Sequence, residues 1–348
     1  MSAVRLVSTK DLSRDDWLAF RQKGIGSSDA AVAIGISPYK SPLALWLEKT
    51  NRQEPEDLST KEAVFWGTTL EPILAEVYQE RTGKKVRRVT QILQHPKEPY
   101  MLANLDRAIE GGGILEIKTA GLRSERQWEE GVPFAYQVQV LHQLAVTGKA
   151  WADVAVLIGG QEFRIYRVER DEARIDALID RERQFWHYVT HDTPPPVDGS
   201  ESSHKALAAL YPCDQGPLVD YSDKDESNAL FAHLLAARKE RQACEHQEAL
   251  LEQQVKELIA EAHGAVFAGG KAFWKQTKAC HRLDVEKLTE DHPEMIQAIP
   301  GRNPDPVDSP STKESYHDQR LKHHTPHSWP YCHRKGRREK RETPAGEG

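Results

Sequence analysis

Apolar positions along residues 11–192 recur with two alternating periods, one of about 3.6 and one of 2 residues, the pattern of an α/β domain. The segment DLSRDDWLAFRQ predicts a short helix opened by Asp11 or Ser13. After GIG, the run SSDAAVAIG predicts a second helix with Ser27 or Ser28 as N-cap and Gly35 as its stop. SPLALWLEKT predicts a third, with Pro42 in its first turn. A fourth begins near FWGTTLEP, carries Leu70, Ile73, Leu74, Val77 and Tyr78 on one face, and ends at Gly83. The period then shortens. KVRRVTQIL alternates as a strand, and PYMLANLDRAI and GILEIKT are joined by Gly111–Gly112–Gly113, a hairpin signature. The helix FAYQVQVLHQLAVTG stops at Gly148, WADVAVLIGG and EFRIYRVER form a second pair of strands, and DEARIDALIDRERQFWHYV closes the unit as a helix.

The Pro- and Ser-rich stretch HDTPPPVDGSESSHK marks a domain boundary, with a domain over 1–195 and a linker over 196–225. An appendage over 226–300 begins with a long helix. Its Leu230, Leu234, Ala237, Cys244, Leu251, Val255 and Leu258 advance in alternating steps of four and three, interrupted by Arg241 and Glu248. Packing of this helix on its own domain, or in a hairpin, is favoured over an intermolecular coiled coil. Residues 301–348 have almost no apolar periodicity and predict a disordered tail. His323, His324, His327, Cys332 and His333 in that tail have no element to frame them as a zinc site.

Composition narrows the class. With 39% hydrophobic and 29% charged residues and a mean hydropathy of −0.66, the 348-residue chain has material for a core and an extensive polar surface. The first ten residues lack the apolar run of a secretory signal, and no stretch approaches the ~20 apolar residues of a membrane span, so a cytoplasmic location is expected. Cys213, Cys244, Cys280 and Cys332 are scattered, which argues against a disulfide framework, a Cys₄ zinc site or an iron–sulfur cluster. The net charge of −6 does not exclude a nucleic-acid partner, because binding depends on local patches. One basic patch is Arg81, Lys84, Lys85, Arg87 and Arg88.

The sharpest chemical signal is Asp106, then nine residues, then Glu116-Ile117-Lys118. Glu116 and Lys118 lie two apart on a strand and share a face, with Leu115 and Ile117 on the other. The glycine turn folds the preceding strand back so that Asp106 approaches Glu116. Two carboxylates and an ammonium then converge, a donor set that suits Mg²⁺ or Mn²⁺. Such an ion activates water and stabilises a phosphodiester transition state, and a nearby lysine orients that water. Glu71, near the start of the fourth helix, offers a third carboxylate, and Gln139 an amide near the lysine. GIGSSDAA opens a helix behind glycines, a natural anion site at Ser28, with Arg21 just upstream. A dinucleotide-binding reading of Gly24 and Gly26 fails, because a helix precedes them and the third glycine is missing.

These blocks in order resemble the YqaJ-type viral recombinase family, the phage lambda exonuclease-like branch of the PD-(D/E)XK nucleases. The resemblance runs from about Arg21 to Tyr166 through GIGSSDAA, SPYKSPLALWLEKT, WGTTLEP, YMLANLDRAI, GILEIKT and YQVQVLHQLAVTG. It implies a restriction-endonuclease-like α/β core, a central mixed sheet flanked by helices, with a helical C-terminal appendage. It implies that Asp106, Glu116 and the backbone carbonyl of Ile117 hold the metal, that Lys118 positions the attacking water, and that Glu71 and Gln139 are accessory. Gln139 is preferred to Gln137 because it keeps the spacing to LAVTG. Arg21 and Ser28 match residues that hold a 5′-phosphate, whereas Asn104 stands where the phage enzyme has a second serine. The implied activity is 5′→3′ exonucleolytic digestion of linear duplex DNA ends, with a homotrimer and a single-strand annealing protein as partners and no membrane association. Two rivals stay open: an endonuclease of the same superfamily, and a non-catalytic DNA-binding recombination scaffold.

Overall fold

The computed structural model describes residues 3–58, 60–212 and 216–274, together with the backbone of 322–324. Two compact units divide at Gly216 and Pro217. The first opens with β1 (Val4–Ser8) and α1 (Arg14–Gln22), whose N-cap Ser13 accepts from the Asp16 N–H. A two-residue strand β2 (Ile25–Gly26) follows, then a 3₁₀ turn over Ser27–Asp29 and the short α2 (Ala30–Ala33). The helix expected over SSDAAVAIG is therefore fractured, and its N-cap is Gly26 rather than Ser27 or Ser28. The reason is the Asp29 carboxylate, which turns back to accept from the Gly26 N–H at 3.4 Å and tightens the first turn. Gly24 explains the glycine-rich entry: a Cβ there would lie 2.3 Å from the Tyr100 carbonyl oxygen.

Next come α3 (Pro42–Lys49), capped by Ser41 with Pro42 in its first turn, and α4 (Glu62–Thr82), which starts ahead of FWGTTLEP and ends at Gly83. The stretch KVRRVTQIL does not form one strand. It breaks into β3 (Val86–Arg88) and β4 (Gln91–Gln94), which join different sheets. Ile92 and Leu93 are both buried, so the alternation of a single half-buried strand is lost there. PYMLANLDRAI likewise divides into β5 (Met101–Ala103) and β6 (Arg107–Ile109), again in different sheets. The crossing between them, Asn104–Asp106, carries Asp106 to the junction of the two sheets. β6 then pairs with β7 (Ile114–Ala120) through the turn at Gly111 and Gly112, both at positive φ.

A 3₁₀ segment (Leu122–Trp128), α5 (Phe134–Thr147), the hairpin of β8 (Trp151–Ile158) and β9 (Glu162–Glu169), and α6 (Glu172–Thr190) complete the expected alternation. The stretch read as linker contains a further helix, α7 (Glu201–Leu210), which packs on α3 and buries Ser203 and Ala206. The five-stranded sheet runs β3-β6-β7-β8-β9, with β7 and β8 parallel and the other pairs antiparallel. A four-stranded sheet runs β1-β4-β5-β2. β7 shows how the core is divided. Leu115 and Ile117 pack with Leu74, Ala75 and Tyr78 of α4, while Ile114 faces the larger core that includes Val140 and Leu144 of α5. Alternation along β7 therefore aims Glu116 at α5. A central mixed sheet lies between α4 and α5, the α/β arrangement expected from the sequence.

In the second unit, α8 (Asp225–Ile259) is the expected long helix. Its C-terminal end packs against β10 (Gly264–Phe267) and β11 (Gly270–Phe273), where Ile259 and Ala272 are buried. β11 pairs in turn with β12 (Lys322–His324). The stripe residues Leu230, Leu234, Leu251 and Leu258 are exposed. The histidine and cysteine side chains of the tail lie outside the described residues.

Candidate active site

One cleft of about 370 Å³ is lined by Arg21, Ser28, Glu71, Asp106, Glu116, Ile117, Lys118 and Gln139, the full set of candidate residues read from the sequence. They come from five places in the chain: the end of α1, the 3₁₀ turn, α4, the β6–β7 hairpin and α5. The basic run from Arg81 to Arg88 is not part of this lining. Arg81 donates instead to the Phe163 carbonyl at 3.1 Å and Lys84 to Asp153 at 3.0 Å.

At one end of the cleft the acidic groups meet. Asp106 accepts from the Ile117 N–H at 2.8 Å, which fixes the hairpin register beside the carboxylates. Glu116 is only 2% exposed, and both of its oxygens are engaged. Oε1 accepts from Lys118 Nζ at 2.6 Å and Gln139 Nε2 at 2.6 Å, and Oε2 accepts from Gln143 Nε2 at 2.7 Å. Lys118 Nζ also donates to Gln139 Oε1 at 3.1 Å and lies 5.1 Å from the Tyr136 ring centroid. Glu71 accepts from Arg107, which donates also to the Asp106 carbonyl at 2.7 Å.

Gln143 and Arg107 were not singled out from sequence. Gln143 follows Gln139 by one helical turn on the face that meets β7, and that i, i+4 spacing was the available signal. Gln137, the rejected alternative, faces elsewhere: it donates to the Val132 carbonyl at 2.6 Å and accepts from Arg174 at 3.0 Å.

Burial, and next the charge of Glu116, push the Asp106 carboxyl up to about 8. Burial opposes the charge on Lys118, but Glu116 and Asp106 outweigh it and hold the ammonium above its usual value. Ionising Asp106 beside Glu116 would leave two acids against one ammonium, so a divalent cation there would favour loss of the Asp106 proton. The donors also fit: Asp106, Glu116 and the Ile117 carbonyl offer oxygen only, as Mg²⁺ and Mn²⁺ prefer. Among the described residues there is no cluster of three or more His, Cys, Asp or Glu side chains placed to hold an ion, so such a site would rest on two carboxylates, the backbone and water.

At the other end the signs are exchanged. Arg21 donates to Ser28 Oγ at 3.0 Å and to Asp29 Oδ1 at 2.6 Å, with its guanidinium 4.9 Å from the Trp17 ring centroid. Lys49 reaches Asp29 Oδ2 at 2.8 Å from behind and donates to the Arg21 carbonyl at 2.7 Å. Burial opposes ionisation of Asp29 most strongly, yet Arg21 and Lys49 together prevail and hold its carboxyl far below the usual range. Neither Asp29 nor Lys49 was singled out from sequence, because their roles depend on α3 packing beside the 3₁₀ turn. Behind the lining residue Leu102, His142 and Glu182 form a fully buried pair at 2.8 Å, and His142 Nε2 lies 2.9 Å from the Leu102 carbonyl. Glu182 outweighs the burial that would otherwise favour a neutral ring, so the His142 pKa is raised.

Residues 16–150 match the YqaJ-like viral recombinase domain. The chain is 35% identical over 300 residues to the uncharacterized protein YqaJ of Bacillus subtilis (strain 168), covering 84% of this chain and 93% of that protein. The protein therefore belongs to the YqaJ-like viral recombinase family. Among solved structures, an alkaline exonuclease of Laribacter hongkongensis (LHK-Exo) aligns at 21% identity and a TM-score of 0.44, covering 57% of this chain and all of that one. A phage-related exonuclease from Haemophilus somnus 129PT aligns at 10% identity and a TM-score of 0.38, covering 49% of this chain and 96% of that one. No described helix is long and apolar enough to cross a membrane.

Proposed function

We propose that the protein is a divalent-cation-dependent exonuclease that degrades one strand of linear duplex DNA from its 5′ end, in recombination of the phage type. The observation that carries this reading is the placement of an acid–lysine–glutamine cluster and an arginine–serine corner in one cleft. Asp106, Glu116 and the Ile117 carbonyl would hold Mg²⁺ or Mn²⁺. The ion supplies a Lewis acid for the scissile phosphodiester and a more acidic water. Lys118, held between Glu116 and Gln139, orients the attacking water and offsets charge on the phosphate. Gln139 and Gln143 fix the two oxygens of Glu116, and the Glu71–Arg107 pair braces the loop that carries Asp106. Arg21 and Ser28 receive the terminal 5′-phosphate, which sets the polarity of digestion. A ring-shaped trimer and a single-strand annealing protein as partner belong to the same reading, and sedimentation of the purified chain tests the first.

A Mg²⁺ time course on linear 5′-phosphorylated duplex and on covalently closed circular duplex tests the activity. Loss of the linear DNA alone, blocked by EDTA, is expected. Cutting of the circle would replace this reading by an endonuclease, and cleavage of neither would favour a scaffold.

A further inference from the structure

The Arg21–Asp29–Lys49 cluster contains more positive charge than an ion pair requires. An arginine beside one aspartate is a neutral pair, with little attraction left for an anion. Here the second oxygen of Asp29 is taken by Lys49, whose side chain is only 5% exposed and does not line the cleft. Burying an ammonium is costly unless a carboxylate compensates it, and this carboxylate already has a guanidinium partner. Two cations and one carboxylate leave a surplus of one positive charge. Arg21 is the member of the cluster that reaches the cleft. Ser27, beside it in the lining, is 5% exposed and its hydroxyl has no hydrogen-bond partner. A buried free hydroxyl next to a surplus of positive charge is a place for an anion's oxygens.

We propose that Lys49 is the charge-setting residue of this corner: by neutralising Asp29 from behind, it leaves Arg21 with the net positive charge that selects a terminal phosphate. Lys49 acts through Asp29 and Arg21 and touches no substrate, so it is a positioning residue. The inference rests on the reading that Arg21 and Ser28 receive the 5′-phosphate.

The test is the ratio of initial rates on one linear duplex prepared with a 5′-phosphate and with a 5′-hydroxyl, in Mg²⁺, for the full chain. Lys49→Met lowers the ratio about tenfold, the scale of losing one charge-assisted interaction. Asp29→Asn, which adds one unit of positive charge without leaving a buried carboxylate bare, raises it. Lys49→Met combined with Asp29→Asn restores the surplus of one and returns the ratio towards the wild-type value. Inhibition of 5′-phosphorylated digestion by inorganic phosphate follows the same order. A wild-type preference that survives Lys49→Met unchanged overturns the proposal and leaves the phosphate corner standing. If Lys49→Met does not fold, Asp29→Asn decides, and a ratio left unchanged or lowered overturns the proposal. No preference in the wild type removes the phosphate corner itself, and the proposal with it.

Discussion

The two ends of the cleft hold the same kind of charge triad with the signs exchanged. One has Asp106 and Glu116 against Lys118, and the other has Arg21 and Lys49 against Asp29. Asp106 and Asp29 are both largely buried aspartates, and they respond in opposite directions. Burial and Glu116 push Asp106 up to about 8, whereas two cations overcome the burial of Asp29 and hold it far below the usual range. The residue type does not set its protonation; burial together with the charges that face it does. The basic end keeps one positive charge unmatched by the protein, and the acidic end gains an unmatched negative charge when Asp106 ionises. Under the proposed function, a divalent cation would sit at the acidic end and a terminal phosphate at the basic end.

Four experiments would break or sharpen that contrast. The largest effect is expected from Glu116→Gln, which removes a charge from the acidic end alone. Cleavage should fall at least about a thousandfold while DNA binding persists. A variant with substantial Mg²⁺-dependent activity would remove Glu116 from the metal assignment.

Second is the buried His142–Glu182 pair behind Leu102. Glu182→Gln should destabilise the fold by about 3–5 kcal/mol, the cost of leaving a buried histidine charge unpaired. The folded His142 pKa is raised, so the pair's stabilisation is fully present below the unfolded value of about 6.5 and is lost as pH rises through the folded value. Urea midpoints of wild type and variant should therefore differ most below about pH 6.5 and converge at higher pH. A gap that widens with pH would show that His142 is not held protonated.

Third, Gln143→Ala frees one oxygen of Glu116 and should weaken Mn²⁺ binding, measured by calorimetry, by about 10–100-fold. Unchanged affinity would make the Gln143 contact merely structural. The smallest effect is expected from Arg21→Ala with Ser28→Ala, about tenfold slower digestion of 5′-phosphorylated ends only. Equal slowing on 5′-hydroxyl ends would show that this corner does not read the phosphate.

Much of the site was legible because its parts are local. Glu116 and Lys118 share a strand face, the glycine turn returns the chain to Asp106, and helix spacing separates Gln139 from Gln137. The supporting residues were harder to read. Gln143 looks like an ordinary helix polar residue until α5 lies on β7, and Lys49 looks like the solvated end of a helix until α3 packs beside the 3₁₀ turn. Two strands were misread for a related reason. Periodicity records that residues 85–93 and 99–109 are extended, but not that the chain changes sheets within each.

The sequence by itself determined the alternation of helical and extended segments over residues 11–192, the face of β7 that carries Glu116 and Lys118, and the residue types of the candidate site. These follow from side-chain periodicity, turn chemistry and donor type, which act over a few residues. Only the tertiary structure decided that the acidic triad and Arg21 of the basic one line one cleft, that α7 belongs to the first unit, and that the Arg81–Arg88 run does not line the site. Those outcomes depend on contacts between segments far apart in the chain, such as Lys118 with Gln139 and Lys49 with Asp29. Burial then converts each such contact into a shifted charge, a quantity that no short window of sequence contains.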